Sequence, residues 1–541
     1  MSQLLPNEFG PLTSDKYMYQ QRRVPYCLHI EESAPFWLIL NAYLHYAYMI
    51  AFGHVHDFFS KFFDKSFLEN MSEHDGYAPL MTDFDSFYSR RLKQRLTDCF
   101  GHPTEGVPGR KITVWERDYS GYDMFSLLVP TGRKVECINL ASYNYLGFAQ
   151  SSGQCSDEAF SAISNWGLVS AGSRFASGTS DLHVATERLT AEFLGTEAAM
   201  IYNMGYATNA NFFISLLDKR CLVLSDELNH ASIRTGLRTS GAVLKVFKHN
   251  DMEDLEKMLQ EKISQGQPRS HRPWRKILVC VEGLYSMEGD LCDLPKLVEL
   301  RKKYGFYLFV DEAHSIGALG PHGRGVCDYF QVDPSNVDIL MGTFTKSFGA
   351  NGGYICGSQD LINLLKTNNL ANVYGESIAP PVIAQIQAAL LTIMGRIRPN
   401  EAKERLQRLA FNSRYLRLGL IKMGFITSGH IDSPVIPLLL YIPSAMPHLA
   451  RELLKLGVAI VVVGYPATPL ISCRIRFCLS AALTKEDLDY VLQVMDKHAS
   501  YFKVSKALAP NGKPYRQSFD QIKGTLVELA RNPNTSTNPP L

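Results

Sequence analysis

The 541-residue chain has no CxxC pair among its eleven cysteines, no basic stripe, and no apolar run at its N-terminus. Each absence excludes a class of protein. Cysteines that are scattered and odd in number do not make a disulfide framework, and read as the reduced thiols of a cytosol-facing protein. The same scatter makes a zinc site unexpected. A formal net charge of +2 offers no polycationic face, so no nucleic-acid partner is expected. The opening MSQLLPNEFG does not read as a secretory signal. Glu8, Asp15, Glu31 and Glu32 are too acidic a set for a mitochondrial presequence.

What is present is enough apolar sequence for a large core and more than one domain. Residues 36–52, FWLILNAYLHYAYMIAF, form a first membrane candidate. The segment is short for a span, which takes roughly 17 to 25 residues. Asn41, His45 and Tyr48 recur at helical spacing and predict one polar stripe on it. In the next segment, HVHDFFSKFFDKSFL, Val55, Phe58, Phe59, Phe62, Phe63 and Phe67 share one face, and Asp57, Lys61, Asp64 and Lys65 lie away from it. That is the pattern of a helix lying in a membrane interface. The alternative is a pair of core helices.

Beyond residue 110 the pattern is α/β. The runs CLVLSD, AVLKVFKH, KILVCVEG, YLFVDEAH and DILMGTFTK are apolar and end in polar residues. They predict buried strands of a mostly parallel sheet, whose carboxyl ends are where a ligand binds. SPVIPLLLYI and CRIRFCLSAAL predict a smaller C-terminal α/β unit, and the polar, Pro-rich RNPNTSTNPPL a disordered tail. The expected division is 1–109 as a membrane-associated region, 110–389 as the large domain, 390–503 as the small domain, and 504–541 as a partly disordered tail.

The chemistry lies at the strand ends. In GTFTKSFGANGG, Lys346 stands among small and hydroxyl residues; desolvated there, it could lose its proton and attack a carbonyl as a Schiff-base lysine. Thr343 and Thr345 could bind a phosphate. Asp311 closes the run YLFVD and needs a cationic partner if it stays charged when buried; a protonated pyridine nitrogen would serve, and would make that ring an electron sink. His314 could reach such a ring's phenolic oxygen. His230 could stack on a planar cofactor. Gly205 and Tyr206, between a strand and a helix, could cradle a phosphate at a helix N-terminus. Arg474 or Arg476 could hold a carboxylate. Each has a plainer reading: a solvated lysine in a Gly-rich turn, an aspartate helix cap, a structural histidine, alternating charge on a strand.

Their joint order decides: glycine loop, His, Asp-x-x-His, Lys, Arg. The run INLASYNYLGF, GSRFASGTSDLH, DELNHAS, VEGLYSMEGD, VDEAHSIG and GTFTKSFGANGG resembles the α-oxoamine synthases, fold-type I pyridoxal-phosphate (PLP) enzymes, over roughly residues 110–500. The resemblance implies a decarboxylating condensation of an amino acid with an acyl-CoA. It makes Lys346 the residue that carries PLP and moves the proton, His230 the ring-stacking histidine, and Asp311 the partner of the pyridine nitrogen. Ser286, His314, Gly205, Tyr206, Thr343 and Thr345 become cofactor contacts, and Asn144 and Arg474 substrate contacts. MGYATN, GTFTKSFGANGGY and VVGYPATP are most similar to the lipid-forming branch, with residues 465–469 as a lid over the acyl site. That branch implies L-serine and a long-chain acyl-CoA of the palmitoyl class as substrates. It also implies a related lysine-less subunit as partner, small membrane regulatory subunits, and the endoplasmic reticulum membrane with the catalytic domain facing the cytosol.

Two departures stand out. The relatives' His after the arginine strand is Leu483 here, following Ala481 and Ala482. YGESIAPP places Glu376 beside Ser377, where homodimeric relatives carry hydroxyls that reach the neighbour's phosphate. The rival readings are another synthase of the family, such as 5-aminolevulinate synthase, and a non-catalytic scaffold subunit; Lys346 with Asp311 and His230 argues against the second.

Overall fold

A computed structural model describes residues 5–24, 36–63, 73, 75–78, 99, 101–119, 128–441, 445–465, 467–469, 472–498 and 516–535. The strands are β1 (Thr104–Glu105), β2 (Lys111–Tyr119), β3 (Leu128–Asn139), β4 (Ala198–Tyr202), β5 (Cys221–Asp226), β6 (Val243–Phe247), β7 (Lys276–Glu282), β8 (Tyr307–Asp311), β9 (Ile339–Thr343), β10 (Gly353–Gly357), β11 (Val435–Leu439), β12 (Val458–Ala459), β13 (Val461–Val463) and β14 (Arg474–Cys478). Seven of them form the central sheet, in the order β4-β10-β9-β8-β7-β5-β6. Only β10 runs antiparallel to its neighbours. The five apolar runs singled out in the sequence are β5 to β9. β5 and β9, inside the sheet, are covered on both faces and every residue of them is buried, whereas the edge strand β6 leaves Lys245 and Val246 open. Asp226, Glu282, Asp311 and Thr343 all close their strands, so their side chains gather at one edge of the sheet.

A three-stranded antiparallel sheet, β11-β14-β13, forms in the C-terminal part. A four-stranded sheet, β1-β2-β3-β12, crosses the boundary drawn at residue 389: Val458 and Ala459 pair in parallel with Ile138 and Asn139. Periodicity does not disclose such a long-range pairing.

Three helices matter for position. Helix α1 (Phe36–Phe63) is one continuous element of 28 residues, not two segments. Ala42, Tyr46 and Asp57 are buried, while Trp37, Leu44, Tyr48, Phe52, Val55, Phe58 and Phe59 are exposed. Tyr46 Oη lies 3.8 Å from Cys473 Sγ, beside β14. Among the described residues no helix is long and apolar enough to cross a membrane. The side chains of Lys61, Phe62 and Phe63, and all of Asp64, Lys65 and Phe67, lie outside what the structure describes.

Helix α2 (Pro399–Lys422) buries Arg405, Arg408, Arg414 and Arg417. Buried cations need acceptors, and each finds them in a different segment. Arg405 donates to Leu146 O at 2.5 Å, Arg408 to Gly10 O at 2.9 Å, Arg414 to Asp432 Oδ1 at 2.9 Å and Ala530 O at 2.8 Å, and Arg417 to Val435 O at 2.8 Å. Helix α3 (Phe519–Arg531) lies within the expected tail. It buries Phe519, Ile522, Leu526 and Ala530, and Ser518 and Gln521 close a capping box at its start.

Candidate active site

The helix Gly205–Leu216 starts after β4 with no side-chain cap, leaving its first N–H groups to an outside acceptor. A Cβ at Gly205 would lie 2.8 Å from Thr343 Oγ1, so this approach requires glycine. Thr343 Oγ1 donates to Gly352 O at 2.8 Å and shares a 2.7 Å bond with Thr345 Oγ1. Thr343 is buried and Thr345 exposed, so a helix N-terminus and an open hydroxyl converge on one cradle. Tyr206 bonds Thr235 Oγ1 at 3.0 Å and stands edge-on to the His230 ring, centroids 6.2 Å apart.

Asp311 is buried. It accepts Asn209 Nδ2 at 2.7 Å and the Ala313 main-chain N–H at 2.9 Å. The local bond to Ala313 fits the plain reading of a capping aspartate. The bond from Asn209, four residues beyond Gly205 on the same helix, aims the carboxylate toward the cradle side as well. Asn209 ends the run MGYATN, where its i+4 relation to Gly205 is the available signal.

Lys346 follows β9 and is half-buried. Burial lowers its pKa to about 8; Asp311 and Glu282 pull the other way, and Arg476 adds to the lowering. Its Nζ lies 5.6 Å from the centroid of Tyr143, and the Arg476 guanidinium lies 4.7 Å from the same ring. Tyr143 is thus a further pocket residue, within the quoted ASYNYLGF. His314 is buried and shares a 2.8 Å bond between Nδ1 and Tyr145 Oη. Burial, then the charges of Lys346, Arg476 and His230, hold it well below the usual imidazole range, so it is neutral. His230 caps the helix Ala231–Thr239; its Nδ1 accepts the Ser232 N–H at 3.2 Å, which leaves the proton of the neutral ring on Nε2. Burial and Lys346 lower its pKa against the pull of Asp311.

The arginine strand resolves the pair left open by the sequence. Arg476 reaches Tyr143 and Ser286 O, the latter at 3.3 Å, and its buried Nε has no partner. Arg474, two residues away on β14, donates to Ser472 O and Met287 O at 2.9 and 3.0 Å and lies 3.6 Å from Glu288 Oε1. Arg476, not Arg474, is therefore the arginine beside Lys346. Asn144 also differs from expectation: its Nδ2 donates to Pro108 O at 3.0 Å and its Oδ1 accepts the Ala149 N–H at 3.2 Å, so its amide clamps loop backbone. Ser286 is buried beneath Arg476. Tyr465 is exposed, and Pro466 of the expected lid lies outside the described residues.

This donor set fits PLP: a lysine poised to lose its proton, a buried carboxylate for a ring nitrogen, an imidazole for the ring face, and a helix N-terminus with hydroxyls for a phosphate. The comparisons agree. Residues 135–495 match the aminotransferase class I and II family. Serine palmitoyltransferase 2 of Kluyveromyces lactis is 53% identical over 524 residues, covering 95% of this chain and 93% of the relative. The chain belongs to the serine palmitoyltransferase family. The Saccharomyces cerevisiae serine palmitoyltransferase 2 is 54% identical over 90% of this chain and 87% of its own length. Among solved structures, an SPT with its PLP internal aldimine superposes with a TM-score of 0.68 at 28% identity, over 79% of this chain and 99% of that one. The serine palmitoyltransferase of Sphingomonas wittichii gives 0.66 at 28% identity, over 79% and 100%. The serine palmitoyltransferase fold, the fold-type I arrangement expected from the motifs, thus accounts for the main body of the chain.

Proposed function

We propose that the chain catalyses the PLP-dependent condensation of L-serine with a long-chain acyl-CoA of the palmitoyl class, releasing CoA and carbon dioxide and giving 3-ketodihydrosphingosine. The observation that carries this reading is a complete lysine site in a chain 53% identical, over 95% of its length, to a serine palmitoyltransferase 2. PLP, when bound, supplies a ring that takes up the electrons released at the serine Cα. The other tasks fall to this chain's own residues. Lys346 holds the cofactor and, with its lowered pKa, takes and returns the Cα proton. Asp311, fixed by Asn209, keeps a proton on the ring nitrogen. His230 covers the ring face and excludes water from it. Gly205, Thr343 and Thr345 hold the phosphate, and Arg476 orients the serine carboxylate. Ser286 and His314 line the cofactor's edge. The rival synthases share the site chemistry but not this degree of likeness, and the intact lysine disfavours a scaffold role.

The chain works on the endoplasmic reticulum membrane, catalytic domain toward the cytosol, paired with a related lysine-less subunit and open to small membrane regulatory subunits. Supporting this, α1 turns Trp37, Phe52, Val55, Phe58 and Phe59 outward and keeps Asp57 inward, the reverse of a soluble helix. A panel of acyl-CoAs assayed with serine, glycine and alanine, scoring carbon dioxide released from carboxyl-labelled amino acid, tests the reaction. Release with serine and palmitoyl-CoA is expected; release with glycine and a short acyl-CoA in its place would overturn it.

A further inference from the structure

Glu282 closes β7 directly opposite Asp311 in the parallel register with β8. Both side chains are buried. Glu282 Oε1 accepts the main-chain N–H of His230 at 2.5 Å. The two carboxyls share one enclosed strand-end site, where ionising both is costly because like charges disfavour each other's charged form. Their bonding separates them. Asp311 takes a side-chain amide and a main-chain N–H, whereas the Glu282 carboxyl takes the main-chain N–H of His230. The remaining charged groups facing Glu282 are Lys346 after β9, which opposes its neutral form, and Glu288 in the following loop, which favours it. Burial, then Asp311, holds the Glu282 carboxyl well above the usual range.

We infer that Glu282 is a positioning residue for His230, a neutral acceptor that sets where the imidazole lies over the cofactor. Position 230 is the joint between the β5 loop and the next helix. The imidazole is held from its own side by Ser232 Oγ at 2.7 Å and the Ser232 N–H at 3.2 Å. The Glu282 bond fixes the main chain from which that ring projects, so ring and strand end move as one.

The inference rests on the assignment of Lys346 and His230 to the cofactor site. The test uses full-length holoenzyme carrying Glu282→Gln, which keeps a carbonyl acceptor without an ionisable proton, or Glu282→Ala, which removes the acceptor. Three quantities are read: the induced circular dichroism of bound PLP relative to its absorbance, the pH titration of its visible band, and PLP affinity after removal and reconstitution. Glu282→Gln is expected to match wild type in all three. Glu282→Ala is expected to lose the circular dichroism and about tenfold in PLP affinity. Gln behaving like Ala, or Ala like wild type, overturns the inference. Should the Ala variant fail to fold, Gln alone decides: a titration midpoint moved by about one unit or more shows a charged Glu282 and overturns it, and an unmoved one supports it. Lys346→Ala in the same series tests the underlying site separately, because it must lose the covalent cofactor band whatever Glu282 does.

Discussion

Lys346 shows how surroundings turn a common residue into a reagent. An ordinary lysine is almost wholly charged at neutral pH; burial beside Arg476 brings this one to about 8, despite Asp311 and Glu282. Replacing it with alanine should lower turnover by about 10³-fold or more while the thermal melting profile holds, since both the cofactor link and the proton carrier go. Turnover near wild type would defeat the assignment. The two arginines of β14 separate by the same kind of measurement. Arg476→Ala should raise the KM for serine by about 10- to 100-fold, the loss of a charge-assisted hydrogen bond. Arg474→Ala should act on stability, since its bonds go to Ser472 O and Met287 O. A KM effect confined to Arg474 would reverse the two roles.

At the scale of elements, α1 and the His249 strut are distinct in kind. α1 leaves Trp37, Leu44, Tyr48, Phe52, Val55, Phe58 and Phe59 in water, with Asn41 and His54 among them, and buries Ala42, Tyr46 and Asp57, so much apolar surface is left open. Deleting residues 36–68 from the isolated chain should reduce its recovery with lipid vesicles and leave PLP binding intact. Unchanged recovery would count against membrane docking; the isolated chain is the proper subject because a partner subunit could mask the loss. His249 follows β6 and joins two other elements: its Nδ1 lies 3.0 Å from Asp226 Oδ1 at the end of β5, and its Nε2 lies 3.8 Å from Asp290 Oδ2 beyond β7. Burial alone would lower its pKa, but the bonds it donates to Asp226 and then Asp290 carry it to about 10. A folded-state pKa raised above the unfolded value gives stability that is full below about 6.5 and declines as pH rises toward about 10. Urea midpoints should therefore fall across that window in wild type and fall less in His249→Asn. Parallel slopes would show that the strut contributes nothing through its charge.

On the scale of the whole molecule, large apolar side chains stand open at residues 168, 169, 175 and 374. Val169 is 73% and Tyr374 79% exposed, and Leu168 and Phe175 lie open beside them. Glu376 is exposed and bridges Ser173, while Ser377 Oγ donates to Gly172 O at 2.7 Å, inside its own chain. A glutamate is a poor neighbour for a phosphate, because the two anions repel. With a lysine-less partner seated on this surface, one heterodimer should hold one PLP. Releasing the cofactor from the purified complex and dividing by the concentration of this chain measures it. Two per heterodimer, or an active homodimer of this chain, would sink the proposal.

Five of the seven strands of the central sheet, and the placing of Lys346, Asp311 and His230 near their ends, were legible in the sequence. Buried parallel strands must be apolar along their whole length, and the polar residue that stops each run is the residue the sheet presents at its edge. Lys346, Asp311 and His230 announce themselves because a lysine, a carboxylate and an imidazole at such edges have no cheap structural use together. The joining of residues 111–139 to residues 458–459, the four buried arginines of α2, the helix 519–531, the amide of Asn144 turned to loop backbone, and the choice of Arg476 over Arg474 were not legible. Each depends on which distant main-chain oxygen or ring stands opposite. Local sequence sets a side chain's chemistry and its face of a strand or helix; the partner it meets across space is decided only when the sheets and helices have packed.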